Sequence, residues 1–336
     1  MGQGPTSEVR DRWQHGVVDS QRDTLRVGEA THHPSNEPPH GFLAGAAARD
    51  AWRTEVLTQM ELLDLMFSDP GLVKLANRSP DHPAVTRLRS LELLLTYGGL
   101  PSTRAVEAVD ALAALAMDRF AWAHAWDPDD FWSLIEEPNQ KRLVQSRITD
   151  AQQFEHVMAE LYIWGWLRGL GVEADLAERE GEPDIGIRHE NEASWAEVKV
   201  VSHGSQPSRA RQDIRKANRQ IKKVGGPELG AGVLFLRVSR SPELRTLDDG
   251  LPSDAATLAA EVAYALGAAY RSVAHVVLYW DETTAVGDPD RGTVFFTRRR
   301  SHVVDHPQPR RRPFARDKLA SLGSTVVLAF GVPQSS

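Results

Sequence analysis

Asp184, Glu197 and Lys199 stand inside two short apolar runs, Pro-Asp-Ile-Gly-Ile and Ala-Glu-Val-Lys-Val, where a strand ordinarily carries apolar residues. Side chains alternate along a strand, so Glu197 and Lys199 share one face while Ala196, Val198 and Val200 share the other. The stretch RHENEAS between the runs reads as a turn. Antiparallel pairing across it brings Asp184 toward Glu197. Two carboxylates held together out of water repel unless a cation lies between them. Lys199 supplies one positive charge, and a divalent ion would supply more. Oxygen ligands without a thiol favour a hard ion, Mg²⁺ or Mn²⁺, over Zn²⁺. Such an ion binds a phosphate oxygen and acidifies a water. A neighbouring ammonium then holds that water or offsets charge building on the phosphate. A Glu-x-Lys triplet alone is a weak signal, and a surface ion pair worth under ~1 kcal/mol is the plain alternative. The apolar surroundings, the position of Asp184 and the basic segment that follows favour chemistry.

The elements that must hold these residues are legible in outline. From residue 149 the pattern reads helix (151–169), strands at 173–177, 183–188 and 194–201, a basic helix at 208–224, then the apolar strand AGVLFLRV. Gly225-Gly226-Pro227 stops the basic helix. A helix at 254–269, with Ser253 as a cap, and the strands VAHVVLYW, TVFFTRR and TVVLAFGV complete it. This is an α/β domain, a mixed sheet flanked by helices, with AGVLFLRV central. Residues 41–145 read as an all-helical N-terminal domain of unknown role. One helix runs from about Gly45 to Asp69-Pro70, and a second is capped by Asp81 with Val85, Leu88, Leu91 and Leu95 on its face. Others start at Ser102 and Asp127, and EEPNQKR reads as a linker. Residues 1–40 read as a disordered tail, in which His32, His33 and His40 are incidental.

The residues EPDIGI and SWAEVKVV resemble the PD-(D/E)XK nuclease superfamily, over about residues 150–240 of the chain. The resemblance implies a restriction-endonuclease-like fold, with a core of helix, three strands, helix and strand, over residues 150–336. It also implies Mg²⁺- or Mn²⁺-dependent hydrolysis of phosphodiester bonds, in DNA for preference. Asp184 and Glu197 would hold the metal with the carbonyl of Val198, and Lys199 would assist the attacking water. The family often adds a Glu from the first helix. Glu160, followed by Leu167 and Gly171, is the better match, and Glu155 is the alternative. Five residues at about 100° each set the two about 140° apart, so they cannot both face one metal. The family also places a Lys or Gln on the next helix, for which Lys216 and Gln220 are candidates on one face.

The net charge of −7 argues mildly against a polyanionic ligand, but its distribution does not. Residues 209–223 carry Arg209, Arg211, Arg215, Lys216, Arg219, Lys222 and Lys223 against Asp213 alone. Arg209, Arg215 and Arg219 with Lys216 and Gln220 are the expected nucleic-acid contacts. Arg298–Arg300 and Arg310–Arg312 offer a second clamp, and His203 follows the metal strand. The chain has no cysteine, which excludes disulfides and thiolate metal sites. No signal-like or membrane-spanning apolar run is visible, so the cytoplasm is expected, with no membrane partner. The N-terminal helices could serve a homodimer or a protein partner. The competing function is a non-catalytic nucleic-acid-binding or adaptor module on the same fold.

Overall fold

The computed structural model describes residues 57, 60, 63, 66–67, 71–97, 135, 137–189, 192–201, 207–238, 253–267, 269–288, 292–324 and 326–332. The expected tail with His32, His33 and His40, the helices expected from Ser102 and Asp127, and His203 lie outside the described residues. Of the helix expected from about Gly45, Leu57, Met60, Leu63, Met66 and Phe67 are described, and all are helical.

Helices α1 (Gly71–Arg78), α2 (Pro83–Tyr97), α3 (Pro138–Ile148) and α4 (Phe154–Gly169) precede the sheet. Two expectations are corrected here. The cap of α2 is His82, not Asp81: His82 Nδ1 accepts from the Ala84 amide at 3.1 Å. A buried imidazole suits that task because burial pushes its pKa down and keeps it neutral. Residues 138–142, expected as linker, instead open α3, with Pro138 in the first turn, where its missing N–H leaves no bond unmade.

Helix α4 is the centre of the molecule. It is buried nearly all round: Tyr162, Ile163, Trp164 and Leu167 are buried with Phe154, Val157, Met158 and Leu161. The reason is tertiary. The sheet covers one side of α4, while α2 and α3 pack on it from elsewhere. The Trp164 indole ties it to the sheet by donating to Ala174 O at 2.8 Å. Gly171 ends the helix with φ 72, a conformation that suits glycine. The amides of Gly171 and Val172 then close back on Arg168 O and Leu167 O, a two-bond cap that turns the chain into the first strand.

Among the described residues seven strands form one mixed sheet in chain order. They are β1 (Glu173–Leu176), β2 (Ile185–His189), β3 (Glu192–Val201), β4 (Gly232–Val238), β5 (Val273–Asp288), β6 (Gly292–Asp305) and β7 (Val326–Val332). Strands β1 to β3 are antiparallel, β4 and β5 continue parallel to β3, and β5 to β7 are antiparallel again. Parallel neighbours need long crossovers, which α5 (Pro207–Leu229) and α6 (Ser253–Leu266) supply. Two right-handed crossovers advancing the same way put both helices on one face. Accordingly Ile214, Ala217 and Ile221 of α5 and Val262 of α6 share a core with Leu234, Leu236, Val276 and Leu278. The opposite face packs Ala196, Val198, Val233 and Phe235 against α4. Strand β4 is central, and Val233 to Leu236 are fully buried, as the apolar run requires. Gly226, at φ 75 and ψ 172, breaks α5 where the Gly-Gly-Pro signal falls. A short helix α7 (Arg316–Ala320) and a 3₁₀ turn (Ser321–Ser324) precede β7. Among the described residues no helix is long and apolar enough to cross a membrane.

Candidate active site

The register of β2 and β3 pairs Ile185 with Ala196, so Asp184 and Glu197 fall next to each other at the end of the hairpin. The β1–β2 loop delivers Asp184, held by the Ala177 amide donating to Asp184 O at 2.9 Å. Asp184 Oδ2 accepts from the Val198 amide at 2.7 Å, which points the carboxylate along β3. Ala196 and Val198 anchor the other face of β3 in the core, fully buried.

One positive charge already stands among the acids. Lys199 Nζ lies 3.2 Å from Asp184 Oδ2, 2.5 Å from Glu197 Oε1 and 2.9 Å from Val198 O. These three oxygens belong to the residues that the sequence suggests for a metal. Glu197 is fully buried, and the Lys199 ammonium is its close cationic partner. Burial and then Asp184 push Glu197 up to about 7, against the pull of Lys199. Burial would lower the Lys199 ammonium, but Asp184 and Glu197 outweigh it and raise it instead. Two carboxylates and a backbone carbonyl suit a hard divalent ion. Among the described residues, no three His, Asp or Glu side chains stand close enough together to hold a metal by themselves.

The acids lie in a cleft of about 560 Å³. Glu160 lines it and Glu155 does not, which separates the two helix acids. Glu160 is buried, and burial followed by Asp184 pushes it up to about 8. Glu155 turns toward α2, where Arg87 Nη2 contacts both its oxygens at 2.8 Å. The opposite wall is α5. Its apolar stripe, Ala210, Ile214, Ala217 and Ile221, is buried, and Lys216, Arg219, Gln220 and Lys223 line the cleft. Gln220 Nε2 donates to Glu182 O at 3.0 Å and ties α5 to the β1–β2 loop.

The expected basic surface therefore divides. Lys216, Arg219 and Gln220 line the cleft, whereas Arg209 and Arg215 are exposed and are not part of its lining. Three arginines of the expected second clamp are engaged with the fold instead. Arg299 is fully buried, 2.6 Å (Nε) and 2.8 Å (Nη2) from the Asp281 carboxylate oxygens, with its guanidinium 3.7 Å over the Tyr162 ring. Arg311 pairs with Glu192 at 2.8 Å and Arg312 donates to His306 O at 3.3 Å, so both brace the fold. The alternation of β6 buries Arg299, and a row of arginines in sequence hides that.

Two cleft residues were not singled out from sequence. His156 lies one turn before Glu160 on the same face of α4, a spacing visible in the sequence. Burial and then Lys199 push it down to about 4, so it is neutral at physiological pH. Arg147 comes from α3, and nothing in its local sequence marks it. No family model matches this chain, and no curated protein matches it.

Proposed function

We propose that this chain is a metal-dependent nuclease of the PD-(D/E)XK kind that hydrolyses phosphodiester bonds, with DNA as its foremost substrate. One observation carries the reading. Asp184 Oδ2, Glu197 Oε1 and Val198 O converge on a single cation at the floor of a cleft rimmed by Lys216, Arg219 and Lys223. The order from α4 through β4, helix, three strands, helix, strand, supports the restriction-endonuclease-like fold that this chemistry uses.

In this reading Asp184, Glu197 and the Val198 carbonyl hold Mg²⁺ or Mn²⁺, which when bound supplies Lewis acidity and a water acidified toward hydroxide. Lys199 remains beside the carboxylates, where its ammonium orients the attacking water and offsets charge growing on the phosphate. Lys216, Arg219 and Lys223 hold the phosphates flanking the scissile one without reading base sequence. His156, neutral, can accept a hydrogen bond from water or substrate without adding positive charge.

The test is cleavage of plasmid, single-stranded DNA and RNA by the purified protein with Mg²⁺ or Mn²⁺, with Asp184→Ala and Lys199→Ala beside it. Loss of cleavage in both variants supports the assignment. Equal cleavage by wild type and both variants marks a contaminant and ends it. A second reading, a non-catalytic nucleic-acid-binding module, draws on the same ion pairs, because Lys199 already contacts both acids. Salt-sensitive DNA binding without cleavage under any metal would favour it.

A further inference from the structure

Glu160 has a partner that the chemistry above leaves unused. Arg147 Nη1 donates to Glu160 Oε2 at 2.7 Å and Nη2 to Glu160 Oε1 at 2.5 Å. Arg147 Nε donates to Gln153 Oε1 at 3.0 Å, so the guanidinium plane is set from two sides. The pair is shielded from water: the Arg147 side chain is 19% exposed and that of Glu160 5%. Both line the cleft with Asp184, Glu197 and Lys199.

A glutamate beside another carboxylate in a dry cleft is stable only if it turns away or finds a cation. A planar fork on both oxygens fixes the carboxylate's torsion as well as its charge. An ammonium would attract it as a point charge and leave it free to rotate. Helix α4 also carries a built-in comparison. Arg87 also pairs with Glu155, but through Nη2 alone, 2.8 Å from each oxygen, and Glu155 is off the cleft. One helix thus has two gripped acids, and only one faces the candidate site.

We propose that Arg147 is a positioning residue that fixes the Glu160 carboxylate toward the Asp184–Glu197–Lys199 group. Helix α3 then completes a site otherwise built on α4 and the β2–β3 hairpin. The proposal rests on the nuclease reading above.

The experiment uses the full chain and the variants Arg147→Lys, Arg147→Met, Glu160→Gln, the Arg147→Met/Glu160→Gln double variant and Arg87→Met. It measures Mn²⁺ affinity by calorimetry, kcat and KM on plasmid DNA, and urea unfolding in EDTA. Arg147→Met is expected to lower kcat about 10- to 100-fold and to weaken Mn²⁺ binding, with KM within about threefold of wild type. Arg147→Lys should restore stability and leave kcat low. The double variant should be no worse than Glu160→Gln, the mark of two residues acting as one. Arg87→Met should lose stability and keep both kcat and Mn²⁺ affinity. The proposal is overturned if Arg147→Met keeps both, if its loss adds fully to that of Glu160→Gln, or if Arg87→Met loses as much kcat. A wild type that neither cleaves nor binds Mn²⁺ ends the nuclease reading and this proposal with it. A wild type that cleaves, with Arg147→Met unaffected, ends this proposal alone.

Discussion

Replacing Glu197 by Gln should make the metal-free protein more stable, and increasingly so as the pH rises. The carboxyl is fully buried and its pKa is pushed from 4.5 up to about 7, first by burial and then by Asp184. Folded Glu197 therefore keeps its proton more tightly than the unfolded residue does. That contribution to stability is fully present below the unfolded value of about 4.5 and is lost as the pH rises through about 7. At about 1.4 kcal/mol per tenfold change, ionising the buried group costs about 3 kcal/mol once the pH is well above 7. Gln keeps the shape of the protonated acid and carries none of that cost. Lys199 stays engaged, because Asp184 and Val198 O still hold it. In EDTA, urea unfolding should show little gain for Glu197→Gln near pH 5 and a gain approaching ~3 kcal/mol near pH 8.5. The same substitution should abolish cleavage. A gain that is flat with pH, or a loss of stability near pH 8.5, would refute the claim that this carboxylate is buried at a cost.

Mn²⁺ binding must displace the proton that Glu197 retains, so its affinity should climb as the pH rises through about 7 and level off above it. Calorimetry in buffers of different ionisation enthalpy should count the protons released. Lys199→Met leaves two facing carboxylates without their cation, so the metal-free protein should lose stability. Mn²⁺ should raise its melting temperature more than that of wild type while cleavage stays absent. Arg219→Ala should reduce the slope of log affinity for DNA against log salt by about one and leave stability within ~0.5 kcal/mol. Arg299→Met should instead cost about 3 kcal/mol or more of stability by leaving Asp281 with weaker compensation, and leave that slope unchanged. His82→Ala should cost about 1 kcal/mol through the lost cap of α2, read by urea unfolding.

The hairpin was the most legible part of the chain. Period-two alternation fixes which side chains of β3 share a face, and a short turn leaves few registers that bury Ala196 and Val198 together. Strand β4 was legible for a related reason: an unbroken apolar run of that length suits a central strand. Partnerships distant in sequence were not legible. Arg147 reaches Glu160 only because α3 packs on α4, and helix packing leaves no local periodic trace. The same packing buries α4 on more than one side. Charge runs misled in the other direction. Arg298 to Arg300 read as a solvated clamp, but a strand turns alternate members inward, and Arg299 meets Asp281 and Tyr162 there. Asp81 and His82 show the limit of cap rules, since a buried neutral imidazole did the work usually given to an acid or a hydroxyl.

The chain order of the sheet carries a consequence for how the molecule assembles. Every strand pairs with its neighbour in sequence, but only the antiparallel β1–β2–β3 pairings close over short loops, whereas β4 and β5 join after the crossovers through α5 and α6. The β2–β3 hairpin by itself sets Asp184 against Glu197. The opposition of the two acids is thus written into local pairing, whereas the dryness that makes it costly comes only when α4 and α5 dock. Before α4 and α5 dock the pair is exposed to water, where two carboxylates tolerate each other, and docking introduces the tension between them. A divalent cation should then act chiefly on the late docking step, speeding the burial of the acids without altering how the hairpin forms.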